Sequence, residues 1–315
     1  MDHTFSKVRI AAGHVACVIP YAGAAKYLEE TVGSAVSQHF GEIVIVNDGF
    51  PPAELDVIAN LPSVRIIHLD NSVGCAAARN LGIKACTMPY VVLLDHDDVL
   101  CKGYLDAITE WVAIHNLRCA AAKFRYIGES SKRIGVAVSR DPHFVLPSGF
   151  LSEASLISEV GYFPISYSDD VLFFRAVRRV AELTACPNAQ VLYRIHPQSE
   201  SSRNAKAWWA FNQLLPLHDE GRLSLEQVNS MVRAFTHTGV CPAGMESRLS
   251  GGSHVNTRFL ARSAYACWLN REYTGLLYYA VRLFAYLPQL ARLARGKWGF
   301  FATKPATSII SETDG

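Results

Sequence analysis

YVVLLDHDD, at residues 90–98, begins as an apolar run with two valines and ends in three carboxylates within four positions. The apolar run predicts a buried strand. In parallel α/β sheets, ligands bind at the carboxyl ends of the strands, and spaced carboxylates there are oxygen ligands that suit a hard divalent cation. The alternative is a solvated acidic turn, because acidic loops are common and the motif is short.

Outward from this strand, short apolar runs alternate with segments whose apolar residues recur at helical spacing. The runs predict strands and the spaced segments predict helices: strands at Val15–Ile19, Glu42–Asn47, Val64–His68 and Cys119–Phe124, helices at Lys26–Gln38, Gly74–Ala85 and Gly103–Asn116. Repeated strand–helix units with short links predict an α/β fold, with a mostly parallel sheet and helices on both faces.

The order of elements is harder to predict after Tyr126. Residues 128–149 carry glycine, serine, two prolines and several cations, which is typical of a loop over a cleft. The elements expected beyond this loop are a helix at Ser152–Val160 that stops at Gly161, a helix at Val171–Val180 opened by Asp169–Asp170, a strand at Gln190–His196, and helices at 204–217 and 225–238.

Composition restricts the class of protein. With 315 residues, half of them hydrophobic, the chain can bury a sizeable core. A net charge of +2 argues against nucleic acid as a partner bound through a broad basic surface. The eight cysteines include no C-x-x-C pair, so neither a zinc ribbon nor a redox motif is expected. Residues 1–13 lack the apolar core of a signal peptide, which favours a cytoplasmic protein.

The stretch 257–304 differs from the rest in charge and aromatic content. It holds eight cations against the single acid Glu272, with eleven aromatic residues between them. Arg282 and Pro288 interrupt its best apolar run, so a bilayer span is not expected. Two alternatives stay open: helices that lie in the interface of an anionic membrane leaflet, and ordinary helices packed on the rest of the protein.

Seven motifs in one order resemble the family 2 glycosyltransferases of the GT-A fold. They are VIPYAGAAKYLEETVGSAVSQ from Val18, EIVIVNDG from Glu42, NSVGCAAARNLGIKAC from Asn71, VVLLDHDD from Val91, PSGFLSEASLISEVGYF from Pro147, the pair Asp169–Asp170, and YRIHPQSES from Tyr193. The resemblance covers residues 15–201 and implies a Rossmann-like GT-A catalytic domain.

The resemblance also implies how the chain is divided. The expected catalytic domain covers residues 14–202, with a nucleotide-binding half at 14–125 and an acceptor half at 126–202. The remaining parts are a tail at 1–13, a helical extension at 203–300 and a tail at 301–315.

For catalysis, the resemblance implies a divalent metal, Mn²⁺ or Mg²⁺, with Asp95, Asp97 and His196 as its ligands. Departure of the diphosphate from a nucleotide sugar builds negative charge, which such a cation neutralises. A histidine beside carboxylates suits Mn²⁺ at least as well as Mg²⁺. Asp95 is also expected to touch the ribose, and the alternative role for His196 is to cap the end of a strand.

A nucleotide site is implied next to the metal. Asp48 is expected to accept a hydrogen bond from the ring N–H of uracil, which makes UDP the expected carrier. Arg79 and Gly74 are expected beside the nucleotide, where Arg79 supplies charge close to Asp48 and Gly74 permits close approach of the backbone. The alternative for Arg79 is a plain charge on a helix surface.

Two departures from the family pattern bear on this nucleotide site. Asn47 stands where the family usually has an aspartate, and Tyr21-Ala22-Gly23 replaces T-Y-N. Pro20 and Tyr21, which follow the first predicted strand, are expected to bind the donor, with the Tyr21 ring stacked on the base.

The base that activates the acceptor is implied at Asp170, the second acid of the pair. An acceptor hydroxyl attacks poorly unless a base removes its proton as the new bond forms. The family members with this arrangement invert the anomeric centre by direct displacement. Asp169 replaces the family's glutamate and is expected to contact substrate. The alternative is that the two acids only cap the helix that follows them.

The sequence therefore predicts a metal-dependent, inverting glycosyltransferase that moves a hexosyl or N-acetylhexosaminyl group from a UDP-sugar to a glycan or lipid-linked acceptor in cell-surface polysaccharide synthesis. It is expected in the cytoplasm, with a possible place on the inner face of the cell membrane through residues 257–304. The alternatives are transfer to a polyprenyl phosphate and a non-catalytic sugar-nucleotide-binding protein. A nucleotide-sugar pyrophosphorylase is disfavoured, because IPYAGAAKY does not supply its glycine-rich loop.

Overall fold

The computed structural model describes residues 10–23, 25–128, 145–200 and 205–238. The chain divides into two compact units, Met1–Asn212 and Gln213–Gly315. The described strands are β1 (Val15–Tyr21), β2 (Glu42–Asn47), β3 (Val64–His68), β4 (Tyr90–Leu93), β5 (Val99–Leu100), β6 (Cys119–Gly128), β7 (Phe150–Glu153) and β8 (Thr184–Ile195). The α-helices are α1 (Ala25–Val36), α2 (Cys75–Ala85), α3 (Tyr104–His115), α4 (Ala154–Val160), α5 (Asp169–Val180), α6 (Ala205–Asp219) and α7 (Leu225–Thr238). Short 3₁₀ helices lie at Ala12–His14 and Pro52–Leu55.

One sheet contains all eight strands, in the order β3-β2-β1-β4-β7-β6-β8-β5. The strands β3, β2, β1 and β4 are parallel neighbours, and β7 is antiparallel to both β4 and β6. Because two antiparallel pairings intervene and β8 is parallel to β6, β8 runs in the same direction as β4. The carboxyl ends of β1, β2, β4 and β8 therefore share one edge of the sheet.

The central strands form where the sequence is continuously apolar. All seven residues of β1 are buried, as expected for a parallel strand covered on both faces. Cys17 and Ile19 pack in a cluster with residues of α1 and α3, whereas Val18 packs with residues of α2, α4 and α5. Successive side chains of β1 thus face different helices, which confirms the prediction of helices on both faces of the sheet.

Helix α2 lies close to the sheet because of one glycine. A Cβ on Gly82 would be 2.5 Å from Cγ1 of Val18 and 3.1 Å from Cγ2 of Val46, so any larger residue would push α2 outward. Arg79 lies one turn before Gly82 in the same helix. The close approach of α2 therefore also fixes how near Arg79 comes to the edge of the sheet.

The prediction of a helix at Ser152–Val160 is wrong in its first two residues. Phe150–Glu153 is a strand, and the helix begins at Ala154. The backbone of the strand is paired on both sides, with Leu93 opposite Phe150 in β4 and Ala121 opposite Phe150 in β6. A segment of only four residues is too short for its periodicity to distinguish a strand from a helical turn.

Other predicted elements agree closely with the structure. The helix stop at Gly161 is confirmed, with Gly161 at φ 92° after α4. The strands β6 and β8 are longer than expected, reaching Gly128 and beginning at Thr184. Helices α6 and α7 confirm the helices predicted at 204–217 and 225–238. The predicted loop at 128–149 lies mostly outside the described residues, and 257–304 lies wholly outside them. The expected domain limits stay a prediction.

No helix in the described part of the chain combines the length and apolar character needed to cross a bilayer.

We expect Tyr104→Phe to stabilise the protein. Tyr104 is fully buried in α3, and its hydroxyl has no hydrogen-bond partner among the described residues. An unsatisfied buried hydroxyl costs about 1–3 kcal/mol, and phenylalanine keeps the ring while removing that group. The free energy of unfolding, measured by urea denaturation, should therefore be higher than that of wild type.

Tyr21→Phe is the matched control for this substitution. The Tyr21 ring is equally buried, but its hydroxyl donates to Glu54 Oε2. Loss of that hydrogen bond should lower the free energy of unfolding by about 0.5–1.5 kcal/mol. A Tyr104→Phe protein destabilised as much as the control would contradict the prediction.

Candidate active site

Arg79 joins the two parts of the chain that the sequence assigned to donor and acceptor. Its Nη2 donates to Asp95 Oδ1 at 2.9 Å, and its Nη1 donates to Asp169 Oδ2 at 3.0 Å. The guanidinium lies over the Phe163 ring, 4.7 Å from its centroid. Arg79 is only 3% exposed, so the interpretation of this residue as a plain surface charge is wrong.

The acids that follow β4 form a turn whose conformation is fixed by hydrogen bonds. The Asp98 N–H donates to the Asp95 carbonyl at 3.1 Å, and the Asp95 N–H donates to Ser148 Oγ at 2.9 Å. Asp98 is fully buried, and its Oδ1 accepts the Arg194 N–H at 2.8 Å. Burial, together with the charges of Asp97 and Asp95, raises the pKa of Asp98 well above its ordinary value. Asp98 therefore stabilises the conformation of this turn.

Asp97 and His196 meet across the edge of the sheet. His196 directly follows β8, and its Nε2 donates to Asp97 Oδ2 at 2.8 Å. The Tyr27 ring of α1 lies 4.8 Å from the imidazole, centroid to centroid. The convergence follows from topology, because β4 and β8 run in the same direction and end at the same edge.

Arg194 is a supporting residue to which the sequence analysis gave no role. Its Nε donates to the Asp97 carbonyl at 2.8 Å, its Nη2 pairs with Glu30 Oε2 at 2.5 Å, and its guanidinium lies 4.6 Å from the centroid of Tyr27. Arg194 therefore ties helix α1 to the acidic turn. Its position in the motif YRIHPQSES was the signal available in the sequence.

The residues present fit part of the metal site that was expected. The oxygen of Asp97 and the nitrogen of His196 are separated by 2.8 Å. Two adjacent ligands of an octahedral ion with bonds of about 2.1 Å lie about 3 Å apart, so this pair suits two neighbouring coordination positions. His196 Nε2 must give up its proton to act as a ligand.

The third expected ligand does not join them. Asp95 directs Oδ1 to Arg79 instead. Among the described residues, no group of three or more histidine, cysteine, aspartate or glutamate side chains is arranged to hold a metal ion. The three-ligand set of Asp95, Asp97 and His196 is therefore not assembled in this structure, because a charged partner competes for Asp95.

Asp48 anchors the loop that leads into α2. Its carboxylate accepts from Ser72 Oγ at 2.7 Å, the Val73 N–H at 2.6 Å and the Gly74 N–H at 3.0 Å. Gly74 adopts φ 88°, which favours glycine, and a Cβ there would meet nothing within 4 Å. The structure thus shows a loop-holding role for Asp48, and recognition of uracil by this residue stays a prediction.

Asn47 closes the turn after β2. Its Oδ1 accepts the Phe50 N–H at 3.0 Å, and its Nδ2 donates to the Phe50 carbonyl at 2.8 Å. Nδ2 also lies 3.1 Å from Nδ1 of His68. The amide therefore uses both its donor and its acceptor within the protein, which an aspartate in the same place could not do.

The expectation that Tyr21 stacks on the base is wrong. The Tyr21 ring is 0% exposed and packs edge-to-face with Phe50 and His96, at centroid distances of 5.8 and 5.5 Å. Pro20 is also buried in β1, and its carbonyl accepts from His96 Nδ1 at 3.2 Å. Neither side chain presents a free face to a ligand. Tyr21 is instead part of the core beneath the edge of the sheet.

Asp169 and Asp170 begin helix α5. Asp170 Oδ1 accepts the N–H of Val171 at 2.7 Å, so the capping role does exist for this residue. Burial and the neighbouring Asp169 raise the pKa of Asp170 to about 6. Burial also raises the pKa of Asp169, against the opposing effect of Arg79. A carboxylate whose pKa lies near 6 is ionised at neutral pH and can still accept a proton, which is what a general base requires.

The fold and these contacts define a class of protein before any comparison is made. An α/β sheet that collects acids, a histidine and a buried arginine at the carboxyl ends of its strands is the arrangement of an α/β protein that binds a ligand at this edge. Within that class, the model of the family "Glycosyl transferase family 2" matches residues 16–178, and the chain belongs to this family. The fold is the GT-A type predicted from the sequence.

Several curated relatives are glycosyltransferases. One is the uncharacterized glycosyltransferase EpsJ of Bacillus subtilis (strain 168), 28% identical over 145 residues, which are 44% of this chain and 42% of the relative. Another is an uncharacterized glycosyltransferase of Haemophilus influenzae, 22% identical over 215 residues, which are 63% of this chain and 86% of the relative. The chain thus spans less than half of the EpsJ sequence.

The fold is also similar to solved structures of TarS from S. aureus. The structure of TarS 1-349 in complex with UDP-GlcNAc has a TM-score of 0.55 and 15% identity, covering 87% of this chain and 91% of that chain. The complex of the same protein with UDP has a TM-score of 0.51 at 15% identity and the same coverage. At this level of identity, the similarity shows the fold alone.

Proposed function

We propose that this protein is an inverting glycosyltransferase that moves a sugar from a UDP-sugar to a hydroxyl of a glycan or lipid-linked acceptor. The observation that carries the proposal is the bridge made by Arg79 between Asp95 and Asp169. This bridge connects the acidic turn proposed for the donor to the acid pair that includes the proposed base, Asp170. Family membership supports sugar transfer as the reaction class.

On the donor side, the proposal needs positive charge where the diphosphate leaves. Arg79 supplies a buried guanidinium beside Asp95. There it can orient the Asp95 carboxylate and also the phosphates and ribose of the donor. A divalent cation, Mn²⁺ or Mg²⁺, would be held by Asp97 and His196 and would supply Lewis-acid stabilisation of the leaving group. Asp98, Ser148 and Arg194 keep the acidic turn in place around these residues.

On the acceptor side, Asp170 takes the proton of the attacking hydroxyl. The acceptor oxygen bonds to the anomeric carbon as the bond from that carbon to the diphosphate oxygen breaks, which inverts the configuration. The electron pair of the breaking bond leaves with the diphosphate, and the proton stays on Asp170 until solvent removes it. The raised pKa of Asp170, about 6, suits this step near neutral pH.

The choice of UDP rests on Asp48 and on the solved relatives. Crystal structures show TarS 1-349 in complex with UDP-GlcNAc and in complex with UDP. We propose a UDP-linked hexose or N-acetylhexosamine for this chain, and a cell-surface glycan as the product. A place in the cytoplasm, with peripheral contact to the inner face of the membrane through residues 257–304, is part of the same proposal.

A donor panel tests the proposed function. We expect purified protein with Mn²⁺ to release UDP from one or more UDP-sugars, and not to release nucleotide from GDP- or CDP-sugars. Chelation of the metal should lower the rate by about 100-fold or more, since it removes an electrostatic stabiliser of the leaving group. A polyprenyl phosphate tested beside hydroxyl acceptors separates the two acceptor classes.

The outcomes of the panel also separate the enzyme from a binding protein. A UDP-dependent rise in Tm without release of UDP from any donor would contradict the enzyme and favour a non-catalytic sugar-nucleotide binder, because a ligand that binds only the native state raises its stability.

A further inference from the structure

Asn80 joins helix α2 to segment 161–170, which follows α4 and carries Asp169 and Asp170 into α5. Its Nδ2 donates to the Phe163 carbonyl at 2.8 Å, and the Phe163 N–H donates to its Oδ1 at 3.0 Å. One side chain therefore satisfies both backbone groups of Phe163. Only a carboxamide offers a donor and an acceptor side by side in this way.

The start of this segment has a conformation that requires support. Gly161 and Tyr162 both have positive φ, 92° and 66°. For a residue as large as tyrosine, the left-handed region is strained and persists only where the surroundings hold it. The Tyr162 N–H donates to the Ile157 carbonyl at 3.1 Å, and the two hydrogen bonds to Asn80 follow at the very next residue.

The Phe163 ring packs against helix α5 and thereby links segment 161–170 to the start of that helix. Its ring is 2% exposed and stacks on the Phe173 ring at a centroid distance of 3.9 Å and an interplanar angle of 15°. Phe173 lies three residues after Asp170, one turn further along the same helix. The guanidinium of Arg79 covers the Phe163 ring and also pairs with Asp169. The position of the acid pair therefore depends on where Phe163 is held.

We infer that Asn80 is a positioning residue for the base, which it holds in register with the donor site through the backbone of Phe163. The inference rests on the proposed function, because it takes Asp170 as the base. Asn80 touches no reacting atom in this scheme, and its effect passes through Phe163 and Phe173. Arg79 and Asn80 are adjacent in α2, so a single turn of this helix would fix the acidic turn and the acid pair together.

Two variants and one control test the inference. Asn80→Ala removes both hydrogen bonds, and Asn80→Asp keeps the shape but turns an acceptor toward the Phe163 carbonyl. We expect kcat for transfer to fall about 10- to 100-fold in both, the size of effect that follows a small misplacement of a catalytic group. The Kd for UDP should stay within about twofold, because the donor site is not displaced. Asn212→Ala, which removes a hydrogen bond to Trp208 within α6, should match wild type.

Amide hydrogen exchange gives a readout that does not depend on activity. Backbone amides of segment 161–170, with Phe163 first, should exchange about tenfold faster in Asn80→Ala than in wild type. Unchanged exchange would overturn the holding role whatever the activity. A kcat within twofold of wild type, an Asn80→Asp protein equal to wild type, or a loss confined to UDP binding would overturn the positioning role. Wild-type protein that releases no UDP would contradict the proposed function and the catalytic part of this inference, and exchange would still decide whether Asn80 holds the segment.

Discussion

Asp170→Asn is expected to lower kcat for sugar transfer by about 100- to 10,000-fold, the range that a positioned general base contributes. Asparagine retains an oxygen that can accept the N–H of Val171, which Asp170 Oδ1 now accepts at 2.7 Å. The cap of α5 is therefore preserved while the proton acceptor is lost. The measurement is UDP release and product formation at saturating donor, together with the Kd for UDP, which should stay near the wild-type value.

A matched control comes from another acid at the start of a helix. Asp106 lies in the first turn of α3 and is exposed, so Asp106→Asn changes one charge at a helix start without the burial of Asp170. Its activity should equal that of wild type. If Asp170→Asn retained more than a tenth of the wild-type kcat with a hydroxyl acceptor, the role of Asp170 as the base would be wrong and the capping role alone would remain.

The pH dependence of the wild-type enzyme follows from the same residue. Because burial and Asp169 raise the pKa of Asp170 to about 6, the basic form should predominate above that pH. We expect kcat/KM to rise with pH between 5 and 7 and to level off above. In Asp170→Asn this rising limb should be absent from whatever activity remains.

Asp170 should also make the free energy of unfolding fall as pH rises, whereas kcat/KM should rise. The native pKa of Asp170 lies above the unfolded value of about 3.9, so the native state binds this proton more tightly. Below pH 4 both states are protonated and the group costs nothing. As pH rises from the unfolded pKa through the native pKa of about 6, ionisation of Asp170 favours the unfolded state. The free energy of unfolding of wild type relative to Asp170→Asn should therefore fall over this range and stay constant above it. Urea denaturation at several pH values measures this difference.

The sequence predicted those parts of the site that depend on local pattern and strand direction. Buried parallel strands have continuous apolar runs, so β2 and β4 were located from their composition. Once these strands are parallel, the residues that follow them share an edge. Asp48, Asp97 and His196 therefore lie at that edge, as expected, although 99 positions separate Asp97 from His196.

The remaining parts of the site depend on contacts that no local pattern encodes. Asp169, the partner of Arg79, lies 90 positions further along the chain. Asn80 also depends on a residue far along the chain, because its two hydrogen bonds are made with Phe163, 83 positions away. Tyr21 was expected to face a ligand because of its place in the family pattern, but Phe50 and His96 enclose its ring. Side-chain direction at a strand end follows from what packs there, which requires the folded structure.

Arg79→Met is expected to lower both stability and activity, and it has the largest combined effect of the substitutions considered. Removing the guanidinium leaves Asp95 and Asp169 close together without a counter-charge. Breaking a buried ion pair by removal of one partner costs about 3–5 kcal/mol. Activity should fall by about 100- to 1,000-fold, because a fixed positive charge beside the donor is lost. Urea denaturation and UDP release measure the two effects.

Two further variants show whether these losses come from the bridge itself. Arg65 pairs with Glu42 on the surface, with 44% of its side chain exposed, so Arg65→Met should change stability by less than about 1 kcal/mol and leave activity unchanged. Adding Asp169→Asn to Arg79→Met removes one of the uncompensated carboxylates. The double variant should therefore regain part of the lost stability, while its activity stays low because the positive charge is still missing. If the double variant is no more stable than Arg79→Met, then repulsion between the uncompensated carboxylates of Asp95 and Asp169 is not the cause of the lost stability.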